Sequence, residues 1–270
     1  MSKKRLDLLV VERGLCETRS KAQALILAGE VAVDGRAVTK AGALTREEAE
    51  ITLRLHGKKY VGRGGLKLEH ALDVFAIDPS GFVVADAGAS TGGFTDCLLQ
   101  RGAVKVYAID VGYGQLDYRL RQDSRVINME RVNIRELAAL PESVDLVVMD
   151  VCFISVRLLL PVVRKWLNPP TPGRLRRASP SIDRTIQTPL SPLFSRGEII
   201  VLLKPQFEVG KEIANRFRGV IADEQIRLNA LEAFRMWLRE HEFEILAECE
   251  SPIQGDKGNH EYLLHIISVI

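Results

Sequence analysis

The chain has 270 residues, is 46% hydrophobic and carries a net charge of +2, which suits one medium domain plus a small appendage with enough apolar residues for a packed core. No run approaches the roughly 18 to 20 consecutive apolar residues of a membrane helix, and the opening Met1-Ser2-Lys3-Lys4-Arg5 lacks a signal-peptide apolar region, so a cytoplasmic protein is expected. Cys16, Cys97, Cys152 and Cys249 form no CxxC or Cys/His cluster, so neither a disulfide framework nor a metal site is expected.

Charge is uneven along the chain. Residues 1–60 hold 12 Lys and Arg against 8 Asp and Glu, so the positive surplus lies at the front. A polyanion-facing module and an ordinary solvated surface both fit that balance on charge alone. Leu6 to Arg13 is predicted as a short helix. Thr18 to Ala28 is predicted as a second, capped by Thr18 and closed by Gly29, with Ala22, Leu25, Ile26 and Ala28 on its apolar side. Val31 to Val38 alternates around Asp34-Gly35, a tight-hairpin dipeptide, and Ile51-Thr52-Leu53 supplies a closing strand. Arg19 and Lys21 open the second helix and Arg36 leaves the hairpin, so they are candidates for one phosphate-binding face, with Arg5, Lys58 and Lys59 as further candidates.

Past Gly57 to Gly65 the character changes. Apolar runs rich in β-branched residues recur at Phe82–Asp86, Val104–Asp110, Arg125–Met129, Val144–Asp150, Ile199–Lys204, Phe243–Ala247 and Tyr262–Ile267. Helical segments are predicted between them at Phe94–Arg101, Gln115–Gln122 and Val156–Leu167, and a long amphipathic helix at Asp223–His241. This alternation predicts an α/β fold: a Rossmann-like, mostly parallel sheet with helices on both faces, behind a small α+β amino-terminal domain. Residues 169–196, with Pro169, Pro170, Pro172, Pro180, Pro189 and Pro192, read as a long irregular insertion that is expected to be mobile.

The first of these strands runs into Asp86-Ala87-Gly88-Ala89-Ser90-Thr91-Gly92-Gly93-Phe94, a glycine turn opening directly into a helix. Gly88, Gly92 and Gly93 let the backbone turn sharply and approach a ligand at the carboxyl edge of the sheet. The spacing lacks the GxGxxG pyrophosphate fingerprint, and the next strand ends in Asp110, placed to take both ribose hydroxyls of an adenosyl ligand. S-adenosylmethionine has no pyrophosphate and suits the difference. Candidate cofactor residues are Asp86, Gly88, Ser90, Gly92, Gly93, Phe94 and Asp110. Asp150 and Lys204 end the fourth and fifth strands of the alternating run and should face the same crevice; polar groups at such positions are costly if buried idle. Lys67 and Glu261 would complete two cations and two carboxylates, although spacing alone does not choose them.

Leu8 to Leu15, Thr18 to Ala22, Ile26 to Gly35 and Ile51 to Leu53 resemble the S4 RNA-binding module. The whole chain resembles the TlyA (haemolysin-A-like) family of ribosomal RNA 2′-O-methyltransferases, whose catalytic domain is of the FtsJ type. The matching stretches are Arg63 to Leu68, Asp86 to Asp96, Tyr107 to Leu116, Leu203 to Gly210 and Ser251 to Tyr262. The resemblance implies an S4-like domain at 1–57, a linker at 58–62 and a methyltransferase domain at 63–270. It implies S-adenosylmethionine as cofactor, ribosomal RNA or ribosomal subunits as partner, a cytidine ribose as acceptor, no metal, and a catalytic tetrad of Lys67, Asp150, Lys204 and Glu261. Cys152 stands where the family pattern has serine.

A lysine in a dry crevice beside a second cation is expected to have a depressed pKa, so Lys204 should act as base or steer the hydroxyl's lone pair, with Lys67 the neighbouring cation. Two other function classes compete: a catalytically silent S4 scaffold in ribosome assembly, and a membrane-active haemolysin, for which no sufficiently apolar segment is visible.

Overall fold

The computed structural model describes residues 2–27, 29–53, 59–169, 197–210, 217, 219–255 and 258–269, and the chain divides into two units, Met1–Lys59 and Tyr60–Ile270. In the small unit, β1 (Lys3–Arg5) leads into α1 (Leu6–Glu12) and α2 (Arg19–Leu27). The Thr18 hydroxyl accepts the Lys21 N–H at 3.2 Å, which caps α2, and Gly29 closes it at φ 72°. The hairpin of β2 (Val31–Val33) and β3 (Arg36–Ala37) turns through left-handed Asp34 and Gly35, and β5 (Ile51–Leu53) pairs with the other edge of β2. The pairing of β1 with β4 (Leu44–Arg46) was not predicted, because neither segment shows apolar alternation. Leu6, Leu9, Val10, Ala22, Ile26, Val31 and Ile51 form the core of this unit.

The large unit opens with α3 (Gly64–Val74), then alternates β6 (Val83–Ala87), α4 (Gly93–Gln100), β7 (Lys105–Ile109), α5 (Tyr118–Gln122), β8 (Val126–Met129) and β9 (Leu146–Met149). It continues through α6 (Leu160–Val163), β10 (Glu198–Leu203), α7 (Pro205–Glu208), α8 (Glu224–Glu240), β11 (Phe243–Glu250) and β12 (Tyr262–Ser268). These strands form one seven-stranded sheet in the order β8-β7-β6-β9-β10-β12-β11. Of these seven strands, β12 alone runs opposite to the other six.

Alternate residues of each strand serve opposite faces, which explains the continuous apolar runs. Val84, Val106, Val148 and Ile200 pack under Leu68 and Leu72 of α3 and Leu98 of α4. Ala85, Val147, Val201 and Leu264 pack under Leu160, Trp166, Phe234 and Leu238. Strand order reverses between β6 and β9, the crevice where open α/β sheets place their ligands.

Two predicted helices differ. Val156–Leu167 is broken into 3-10 turns at Val156–Leu158 and Arg164–Trp166 flanking α6, because Pro161 starts a new first turn rather than continuing the old one. Gln115–Gln122 is helical only from Tyr118, where the Asp117 carboxylate caps the helix by accepting the Arg119 N–H. The predicted insertion falls, from residue 170 to 196, outside the described residues. No helix among the described residues is long and apolar enough to cross a membrane.

Candidate active site

The carboxyl ends of β6, β9 and β10 border a cleft of about 420 Å³, within the usual size of a small-molecule site. The glycine turn forms one wall. Gly88 has φ 90°, and a Cβ there would stand 2.7 Å from the Asp150 carbonyl; Gly92 has φ 94°, and a Cβ would meet Leu120 Cδ1 at 2.2 Å. Both positions therefore require glycine for conformation and for packing. Gly93 lets the α4 start come against Gly62 and Gly65, and Phe94, 3% exposed, lines the cleft beside Gly64.

Asp110 organises the turn's outer rim. Its Oδ2 accepts the Ser90 N–H at 2.8 Å and its Oδ1 the Gly112 N–H at 2.7 Å, which fixes the carboxylate while leaving each oxygen further acceptor capacity. Asp86 lies beneath the turn, and neither it nor Asp110 is among the residues that line the cleft. Asp86 is fully enclosed and accepts the Thr95 hydroxyl at 2.6 Å. Burial pushes its pKa up to about 7, with the Asp150 and Asp110 carboxylates adding to the rise and the Thr95 hydrogen bond opposing it.

Lys67, Asp150, Lys204 and Glu261 all line the cleft. They form two ion pairs: Lys67 Nζ lies 2.5 Å from Glu261 Oε2, and Lys204 Nζ lies 2.6 Å from Asp150 Oδ1. Lys67 projects from α3. Lys204 ends β10, where Pro205 stops the strand and starts α7. The depressed pKa expected of Lys204 is not found. Burial works against its ammonium, but the Asp150 carboxylate, with Cys152 Sγ at 2.9 Å, outweighs burial and holds the pKa above the ordinary lysine value. Proximity to a counter-ion decides the protonation state, and that proximity is tertiary.

Several functional candidates escape sequence reasoning. Phe153, 92% exposed at φ 63°, and Phe207 both line the cleft, with ring centroids 5.5 Å apart and planes tilted by 53°. Val111, one residue past Asp110, is an apolar side chain left 69% exposed. The Glu208 carboxylate accepts the Ser155 hydroxyl at 2.7 Å and the Val156 N–H at 3.0 Å, and so ties the segment after Asp150 to the segment after Lys204. The buried Asn259 accepts the Ile221 N–H at 3.1 Å and donates to the Gly219 carbonyl at 2.9 Å. Glu208 and Asn259 stand in the Leu203 to Gly210 and Ser251 to Tyr262 stretches, but nothing in the sequence shows what a carboxylate or amide will bridge.

In the small unit, Arg5 and Arg19 converge on the buried carboxylate of Asp7. Lys21 opens α2 and Arg36 is exposed on β3, and neither reaches that carboxylate; Lys59 is exposed, and Lys58 lies outside the described residues.

The donor set suits S-adenosylmethionine. The Asp110 carboxylate, tied to the turn through the Ser90 N–H, suits a ribose diol, and the turn lacks the GxGxxG spacing that cradles pyrophosphate. A seven-stranded sheet of this order with such a cleft at its switch point defines a Rossmann-type methyltransferase. An FtsJ-like methyltransferase family model matches residues 60–267 and an S4 domain model matches residues 4–51.

The chain is 39% identical over 263 residues to the 16S/23S rRNA (cytidine-2′-O)-methyltransferase TlyA of Mycobacterium tuberculosis, covering 96% of this chain and 88% of that protein. It is 37% identical over 266 residues to Hemolysin A of Brachyspira hyodysenteriae, covering 97% of this chain and 99% of that one. A solved structure from Streptococcus thermophilus, described as a hemolysin, superposes with a TM-score of 0.66 at 36% identity, covering 99% of this chain and 89% of that one. The chain therefore belongs to the TlyA family of FtsJ-like methyltransferases with an amino-terminal S4 domain, whose cofactor is S-adenosylmethionine.

Proposed function

We propose that this protein transfers a methyl group from S-adenosylmethionine to a ribose 2′-hydroxyl of ribosomal RNA, that of a cytidine, acting in the cytoplasm where ribosomes are assembled. The observation that carries the reading is the pair of lysine–carboxylate contacts, Lys67–Glu261 and Lys204–Asp150, lining one cleft with the glycine turn. The cytidine and the ribosomal substrate rest on the name of the Mycobacterium tuberculosis relative and on the S4 domain.

When bound, S-adenosylmethionine supplies a sulfonium methyl that reacts with a lone pair aligned behind its carbon–sulfur bond. Asp110, Val111 and the 88–93 turn would hold its nucleoside portion. Gly88 and Gly92 bring the turn's backbone against its neighbours without a Cβ in the way. Lys204, kept charged by Asp150, donates a hydrogen bond to the acceptor oxygen and aims its lone pair; it is a steering cation and not the base. Lys67, held by Glu261, supplies the second positive charge. The hydroxyl proton turns strongly acidic as the new bond forms and leaves to a carboxylate of the cleft, Asp150 or Glu261, or to water. Phe153 and Phe207 offer a stacking face for the target base.

Single-turnover transfer of labelled methyl to purified ribosomal RNA tests this directly. Wild type should methylate, and Lys204→Ala should lose on the order of a hundredfold in rate with cofactor affinity retained. Between pH 7 and 9 the wild-type rate should stay nearly flat. A rate that climbs tenfold per pH unit there, in wild type only, would return Lys204 to the role of base. RNA binding without transfer, at confirmed cofactor occupancy, would favour the silent scaffold.

A further inference from the structure

We infer that Asp7, Arg5 and Arg19 build a seat for one RNA backbone phosphate on the small unit, with Asp7 as the positioning residue that sets both guanidiniums. The inference rests on the reading that this unit meets RNA, and it assigns an unexpected part to an acidic residue on a face otherwise read as basic.

The Asp7 carboxylate is fully buried at the start of α1. It accepts Arg5 Nε at 3.0 Å and Arg5 Nη2 at 2.8 Å, Arg19 Nε at 3.0 Å, and the Gln23 amide at 2.9 Å. Both arginine side chains remain about half exposed, at 43% and 51%. A guanidinium carries five N–H donors, so Arg5 keeps three and Arg19 four beyond those given to Asp7. Gly42 packs closely against the Arg5 guanidinium, where a Cβ would stand 3.1 Å from Nη1, and so helps to hold it in place.

Charge agrees with this geometry. The Arg5 hydrogen bond, helped by Gln23 and Arg19, overcomes burial and holds the Asp7 carboxyl well below the usual carboxylate range, so it stays ionised. Two guanidiniums on one carboxylate leave a surplus of one positive charge, the match for a phosphodiester. A free arginine samples many rotamers and must be ordered on binding, whereas these two are ordered beforehand.

The full-length protein should be titrated against purified bacterial ribosomal RNA by filter binding across a salt series, with thermal melts of each variant. Asp7→Asn should weaken binding about tenfold, although it removes a negative charge. Arg19→Lys, which keeps charge but not the fork, should weaken it about threefold, and much less in the Asn background. If Asp7→Asn does not fold, Arg5→Lys and Arg19→Lys carry the test, and binding like wild type by both overturns the proposal.

Tighter or unchanged binding by folded Asp7→Asn, as bare charge neutralisation predicts, also overturns it, provided Arg5→Ala and Arg19→Ala weaken binding. If those two alanine variants bind like wild type, the RNA reading of this face fails as well.

Discussion

Asp86 illustrates how much a single residue's behaviour depends on what surrounds it. Its ordinary pKa is 3.8, and in the fold it is pushed up to about 7, first by burial. The folded state binds this proton more tightly than the unfolded state. The group's contribution to stability is therefore complete below about pH 3.8 and is lost progressively as pH rises through 7. At 1.36 kcal/mol per pKa unit the full effect is on the order of 4 kcal/mol. Asp86→Asn keeps an acceptor for Thr95 and removes the titration. Its melting temperature should match wild type near pH 4 and exceed it at pH 8, and equal melting at both values would sink the assignment. The sequence marks Asp86 as the end of a strand before a glycine turn, but only the covering side chains decide that it is enclosed. Lys204 repeats the lesson: its position at the end of β10 is legible from the apolar run before it, while its charge is set by Asp150, more than fifty residues earlier in sequence.

At the scale of elements, the loop joining β11 to β12 places half of one ion pair. Ser251 N–H donates to the Glu261 carbonyl at 2.9 Å and Gly255 N–H to the Asn259 carbonyl at 2.8 Å, which folds the loop back on itself. A Cβ on Gly255 would stand 2.1 Å from Glu261 Oε1, so the loop closes over that carboxylate only because residue 255 has no side chain. Gly255→Ala should push Glu261 away from Lys67 and lower the single-turnover rate about tenfold while leaving cofactor affinity within about twofold. An unchanged rate would show that Glu261 relaxes without consequence. The glycine and the glutamate are both visible in the sequence, yet their six-residue separation says nothing of the contact. Strand identities were legible because buried parallel strands read as unbroken apolar runs, whereas β1 and β4, short and polar, carry no such signal. The predicted helix at 156–167 failed at Pro161, where periodicity continues but the backbone hydrogen bonding does not.

For the whole molecule, the two units differ in what stabilises them. Among the described residues, the small unit's core cluster is Leu6, Leu9, Val10, Cys16, Ala22, Ile26, Val31 and Ile51, and residues 1–59 contain no Trp, Tyr or Phe. The large unit holds both tryptophans, with Trp166 fully buried and its indole N–H bound to the Leu137 carbonyl at 3.1 Å. Domains of about sixty residues bury a smaller fraction of their surface than larger ones and are correspondingly marginal. In a guanidinium titration, far-ultraviolet circular dichroism should begin to change before tryptophan emission does, because emission reports the large unit alone. Coincident curves would show instead that the two units unfold as one. The sequence by itself determined the order of elements, the alternating β/α architecture, the glycine turn and the polar residues ending the strands, because periodicity, turn chemistry and apolar runs are local properties of the chain. Only the tertiary structure decided that Asp86 is buried, that Lys204 lies against Asp150, that Glu208 bridges the segments after Asp150 and Lys204, and that Asp7 gathers two arginines. Each of these depends on groups distant in sequence brought within a few ångströms, where burial and Coulomb interaction outweigh a residue's intrinsic chemistry.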